Sequence, residues 1–292
     1  MSINVETSFV QQYKENVTIA LQQRGSKLAD KVRTETQTSE YDYYDEIGAT
    51  EAQRIVGRHQ DTPLVNSPHS RRRVGMSDYD WADLIDKKDK VRMLIDPTSA
   101  YSINAVYALG RAKDDEVIQS FFGNAYTGKD GSTTVSFDSN QVIPVNLSGS
   151  NEGLTVGKLI ETKRKFLANE VDLDFDELYF AYTSKQLANL LATTQVTSSD
   201  YNSVKALVEG KVDTFMGFKF VSIERLLTDA NGYRRCVAWA KSGVLLSTGE
   251  EINVDIGPRK DKRNAVQIYA NMTAGATRMN EKKVVEIKCL ET

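Results

Sequence analysis

RRRVGMSDYDWADLID (residues 71–86), followed by SAYSINAVYALGRAKDDEVIQSFFGNAYTG (residues 99–128), joins the densest charge cluster in the chain to its strongest helical pattern. Asp96-Pro97-Thr98 opens the helix, because Asp96 or Thr98 can cap it and proline is tolerated in a first turn. Ile103, Val106, Tyr107, Gly110, Val117, Ile118 and Phe121 share one stripe, and Gly123 or Asn124 ends it. From Pro97 to Phe122 the helix would run roughly 39 Å at 1.5 Å per residue. That length is unusual in a globular protein, so the helix is expected to brace one face of the molecule.

Upstream, residues 48–90 hold no apolar run long enough for a core strand, and charge, Pro63, Pro68 and Gly75 dominate. Connections in compact domains usually take about 4–6 residues. So long a segment is either without fixed structure or an extended hairpin with a task. Short alternating stretches at Arg54-Ile55-Val56, Leu64-Val65 and Arg73-Val74-Gly75-Met76 favour the hairpin. Tyr79 and Trp81 need an apolar partner, which a protruding loop lacks, so a neighbouring subunit is expected to supply one. Arg71, Arg72 and Arg73 are followed by Asp78, Asp80, Asp83 and Asp86. These arginines either grip carboxylates of a neighbour bidentately or form a solvated run with no single partner. Lys87, Lys88, Lys90 and Arg92 admit the same two readings.

Nearer the amino terminus, Phe9, Val10, Tyr13, Val17, Ala20 and Leu21 recur at helix-like intervals ahead of Leu28 and Val32. A stripe this thin suits an arm that packs on something else. A frayed terminal helix on the chain's own core fits the same residues.

Downstream come a Gly/Ser/Thr-rich hairpin (127–153), a helix near 155–169, a strand near 177–183, and helices at 184–192 and 199–208. Lys219-Phe220-Val221 and Arg235 to Ala240 read as strands, and Lys241 to Leu246 as a short helix. Ile252 to Ile256, Ala265 to Met279 and Val284 to Lys288 read as closing strands. Helices and strands intermix without a repeat, which predicts an α+β fold rather than a doubly wound one.

The composition narrows the function classes. With 292 residues and 40% hydrophobic content, the chain can build a substantial core. Lys plus Arg number 37 against 40 Asp plus Glu, a net charge of -3, which argues against a surface devoted to gripping nucleic acid. Cys236 and Cys289 form no CxxC unit, so neither a disulfide framework nor a tetrathiolate zinc site is expected, and reducing cytosol is the natural setting. The amino-terminal stretch lacks the pattern of a signal peptide, and no run approaches the roughly 20 apolar residues that span a bilayer. A soluble protein without membrane partners follows as the expectation.

Three motif-like patterns fail on inspection. Gly123-Asn124-Ala125-Tyr126-Thr127-Gly128-Lys129 has phosphate-loop spacing, but Asp130 stands where a hydroxyl should hold magnesium, and the segment leaves a helix instead of entering one. Asp172, Asp174 and Asp176 imitate a calcium loop, yet Glu177 replaces the required glycine and Thr183 the closing glutamate. His59 with Asp61 and Glu51 has no nucleophile nearby. No catalytic residue, cofactor or metal is therefore expected.

The order of elements, carried by residues 71–86 and 99–128, by YNSVKALVEGKVDTFMGFKFV (201–221) and by the closing run 239–289, resembles the major capsid protein of tailed bacteriophages over essentially the whole chain. The resemblance implies a Hong-Kong-ninety-seven-like fold. It would comprise an N-arm at 1–46, an E-loop at 47–93, and a P domain at 94–172 and 260–292 with spine helix 97–123. An A domain would take 173–259. It further implies a homo-oligomer of hexamers and pentamers in an icosahedral shell, enclosing double-stranded DNA contacted nonspecifically. A separate scaffolding protein and a portal are the further implied partners, and a decoration protein is left open. The implied place is the virion, assembled in the host bacterial cytoplasm. Intersubunit contacts are expected at Phe9, Tyr13, Val17, Arg71, Arg72, Arg73, Asp78, Tyr79, Asp80, Trp81, Asp83, Lys87 and Lys88. An encapsulin-like nanocompartment is the nearest alternative, and a P-loop-type nucleotide enzyme a remote one.

Overall fold

The computed structural model describes residues 22–57, 61–62, 64–85, 98–173, 175–192 and 214–291. In chain order the strands and helices are β1 (Arg33–Thr36), β2 (Tyr41–Ile47), β3 (His69–Gly75), β4 (Ser77–Ile85), α1 (Thr98–Phe122), β5 (Ala125–Thr127) and β6 (Thr133–Val135). There follow β7 (Val142–Ile143), α2 (Val156–Ala168), β8 (Leu178–Tyr182), α3 (Ser184–Ala192), β9 (Thr214–Phe215), β10 (Phe218–Ser222) and β11 (Arg234–Ala240). The long strands β12 (Val244–Arg259) and β13 (Ala265–Arg278) precede β14 (Val284–Cys289). The mixture is α+β, as the intermixed patterns predict. The expected helix at 199–208 lies outside the described residues.

The chain divides into two compact units, one of Met1–Ser26, Asp78–Ala112 and Glu250–Thr273, the other of Lys27–Ser77, Lys113–Gly249 and Ala274–Thr292. The larger, second unit is built on a sheet of order β7-β14-β11-β8-β10-β9. β8 is buried at all five positions between antiparallel β11 and parallel β10. A strand covered on both faces reads as a continuous apolar run, and LYFAY does. Trp239 of β11 is fully buried, with ring centroids 4.8 Å from Phe121 and 5.7 Å from Tyr179, and its indole N–H donates to the Lys31 carbonyl at 2.9 Å.

Two expectations are settled here. Leu28 and Val32, for whose segment the sequence leaves open an arm on something else or packing on the chain's own core, are buried in this unit's own core. Their segment is anchored by the fully buried Asp114, whose carboxylate accepts the backbone N–H groups of Lys27 at 2.9 Å and Leu28 at 3.0 Å. Second, Lys241 to Leu246 is not a helix. Lys241–Gly243 makes one 3-10 turn, and Val244 begins β12, whose Leu245–Thr248 pair in parallel with β1. A short apolar run carries no period that separates the two states, and burial on a sheet settled it as strand.

In the first unit, Ala105 and Leu109 of α1 form a core with Ala270 and Met272 of β13. Tyr79 and Trp81 of β4 and Ile252 and Val254 of β12 pack against that core. This corrects the view that Tyr79 and Trp81 must find their apolar partner on a neighbour. It also shifts the helix stripe, since Ile103 is 42% exposed while Ala105 is buried. Gly110 faces the amino-terminal segment instead: a β-carbon there would stand 2.7 Å from backbone atoms of Gly25 and Ser26.

Candidate assembly surface

β2 and β3 form an antiparallel hairpin whose register runs from Tyr41 opposite Gly75 to Ile47 opposite His69. The Gly48 N–H donates to the Pro68 carbonyl at 2.8 Å and closes the ladder. On its other edge β3 pairs with β5, and β5 with β6, so the sheet order is β2-β3-β5-β6. The opening of the Gly/Ser/Thr-rich segment thus extends the hairpin sheet.

Alternation along β3 gives the three arginines different surroundings. Arg72 and Val74 point inward. Val74 packs with Leu245, Met279 and Tyr44. The Arg72 side chain is 9% exposed; its Nε donates to the Met279 carbonyl at 2.9 Å, and Nη2 meets both Glu281 carboxylate oxygens at 2.6 and 2.8 Å. Arg72 is therefore engaged within its own chain, by Met279 and Glu281. Arg71 and Arg73 point outward. Arg71 grips Asp45 bidentately at 2.5 and 3.2 Å, a bond that holds the exposed Asp45 carboxyl below the usual carboxylate range and raises the guanidinium. The Arg73 guanidinium lies 4.7 Å from the Tyr41 ring centroid and 4.8 Å from that of Tyr126. Gly131, with a φ of +62°, leaves room for it, since a β-carbon there would meet the Arg73 Cδ at 2.5 Å.

Behind the hairpin, Glu281 lies 3.6 Å from the Nε of Arg278, whose side chain is fully buried. Arg278 Nη1 donates to the carbonyls of Phe121 at 2.8 Å and Gly123 at 2.9 Å. A cation satisfying carbonyls at a helix carboxyl end complements the helix dipole there. Burial pushes the Arg278 guanidinium down, and the Glu281 charge opposes that. Glu46 of β2 is pushed up by burial, against the attraction of Arg72. The root of the hairpin is thus tied by ions to the end of α1. Neither Glu281 nor Arg278 stood out in the sequence, because nothing local marks a charge that will be buried.

Beyond the ladder the hairpin changes character. The described residues from 49 to 67 carry no strand, and Ile55 is 80%, Val56 85% and Leu64 95% exposed. Of the other expected contact residues, Asp78 accepts a hydrogen bond from the Thr273 hydroxyl at 2.7 Å, Asp80 is exposed, and Asp83 accepts the Leu84 N–H. Phe9, Tyr13, Val17, Lys87, Lys88 and His59 lie outside the described residues. Asp176, from the calcium-like pattern, accepts from the Ser242 backbone and from Lys283 at 3.1 Å each, so its charge is paired within the chain. Among the described residues no three His, Cys, Asp or Glu side chains converge as a metal site would require.

The model of the family described as phage capsid protein matches residues 5–291. No curated protein sequence matches the chain. Among solved structures, the capsid of the cyanophage P-SCSP1u is similar with a TM-score of 0.74 at 14% identity, covering 100% of this chain and 96% of that one. The capsid of Ralstonia phage GP4 gives 0.75 at 10% identity, covering 98% and 96%. A Mycobacterium phage Che8 structure gives 0.68 at 14% identity, covering 96% and 97%.

Proposed function

The chain belongs to the phage capsid protein family, and from that premise we propose how it builds a shell. It is a major capsid protein of tailed phages with the Hong-Kong-ninety-seven-like fold, a structural component of the virion that assembles with copies of itself. Copies form hexamers and pentamers of an icosahedral head that encloses double-stranded DNA. Assembly takes place in the host bacterial cytoplasm, with a separate scaffolding protein and a portal. Residues 47–93 act as the E-loop, 1–46 as the N-arm, 94–172 and 260–292 as the P domain, and 173–259 as the A domain.

The observation that carries this reading is the exposure of Ile55, Val56 and Leu64 on a strandless loop whose root is fixed by Arg72, Glu281 and Arg278. Covering such a side chain fully is worth about 1.5–3 kcal/mol. Contacts of that size multiply when each copy makes several of them in a closed shell. The outward Arg71, Arg73, Tyr41 and Tyr43 supply a polar and aromatic flank beside the loop. Replacing Ile55, Val56 and Leu64 together by serine is expected to abolish particles in negative-stain micrographs while leaving the circular dichroism and thermal unfolding of the subunit unchanged. Particles at wild-type yield would overturn the reading.

A further inference from the structure

The hairpin of β12 and β13 separates its charges. Its turn carries Arg259, Lys260, Lys262 and Arg263, all exposed, with Asp261 as the single acid, paired to Arg259 at 2.9 Å. Arg263 and Asn264 both have positive φ, 54° and 56°, so the turn has a defined left-handed shape.

The stem shows the opposite sign. Ile252 and Val254 of β12 and Tyr79 and Trp81 of β4 pack on the apolar core of their unit, so by strand alternation Glu251, Asp255, Asp78 and Asp80 face the other side of the sheet. All four carboxylate residues are exposed. In the sheet, β13 lies between β12 and β4, which makes this one acidic face. Within one molecule the turn lies at the far end of β12 from Glu251. Glu251 is eight residues from Arg259 along β12, or roughly 26 Å at 3.3 Å per residue, and Asp255 is four residues from Arg259, or roughly 13 Å.

We propose that the basic turn around residues 259–263 of one copy docks on the acidic face formed by Asp80, Glu251 and Asp255 of a second copy. The contact is head-to-side, so repeated copies around an axis close a ring in which every turn and every face is used. It deepens the capsid reading and rests on it. A nucleic acid backbone is the weaker match for the turn. Asp261 stands in its middle and already holds Arg259, leaving three cations for phosphate, whereas a mixed protein surface accommodates both signs.

Two charge-reversed proteins test this. One carries Lys260→Glu, Lys262→Glu and Arg263→Glu; the other carries Asp80→Lys, Glu251→Lys and Asp255→Lys. All six positions are exposed, so subunit folding is expected to be retained, as circular dichroism will report. Each variant is expected to yield about tenfold fewer particles than wild type, and a third protein with all six changes to recover to within about twofold. Failure of the six-fold variant to recover above either parent overturns the contact. So does a turn variant that forms wild-type numbers of particles, and if those particles hold less DNA the turn is a nucleic-acid contact instead. In both cases wild-type particles in the same experiment leave the capsid reading standing.

Discussion

Gly275 of β13 and Gly75 of β3 pass so closely that a β-carbon on Gly275 would stand 1.9 Å from the Gly75 carbonyl oxygen and 3.1 Å from the Cα of Met76. No side chain fits at that spot, and the obstacle is backbone, which cannot swing aside. The root of the hairpin owes its seat on β13 to this absence of a side chain.

Gly275→Ala is therefore expected to destabilise the subunit by about 1–3 kcal/mol or more, the range for forcing extra atoms into packed space. Thermal unfolding should fall by several degrees. Gly257→Ala, with nothing within 4 Å of its β-carbon, serves as the control and should leave the midpoint nearly unchanged.

Removing the anion between two buried cations should cost more than removing it together with one of the cations. Glu281→Ala leaves Arg72 and Arg278 facing each other without a counter-charge, and breaking a buried pair on one side typically costs about 3–5 kcal/mol. Urea unfolding of Glu281→Ala against the double variant Arg72→Met, Glu281→Leu tests this, with the double variant expected to be the more stable.

Glu46 predicts a pH dependence of definite sign. Burial raises its pKa in the folded chain, so the folded state holds the proton more tightly than the unfolded one. The resulting penalty is absent below the ordinary glutamate range, grows as pH rises from there through the elevated folded value, and is complete above it. Glu46→Gln should accordingly raise stability at pH 7 and change it little at pH 4. Paired urea titrations at the two pH values measure the difference.

Asp114 holds the backbone at Lys27 and Leu28. Asp114→Ala leaves the buried Leu28 N–H and the neighbouring Lys27 N–H without their carboxylate acceptor, at about 1–3 kcal/mol for the orphaned group. Amide exchange over residues 27–32 should accelerate well beyond that of β8, while Asp115→Ala, which loses only an exposed pair with Arg225, should change it little.

The elements themselves were legible in the sequence wherever their signal was local. The helices at 98–122, 156–168 and 184–192 and the closing strands β13 and β14 follow from apolar spacing and stop residues, because a period of 3.6 or 2 is written into neighbouring positions. The long polar connection after Ile47 was equally visible. Alternation alone places Arg72 and Val74 on one face of β3 and Arg71 and Arg73 on the other. Which face turns inward was settled only in three dimensions, by Glu281, 209 positions away, and by the open backbone at Gly275. The same holds for Tyr79 and Trp81, whose apolar partners arrive from α1 and β13. A chain determines its local conformations through nearby atoms, but the burial of a charge or an aromatic ring depends on partners that only folding brings within reach.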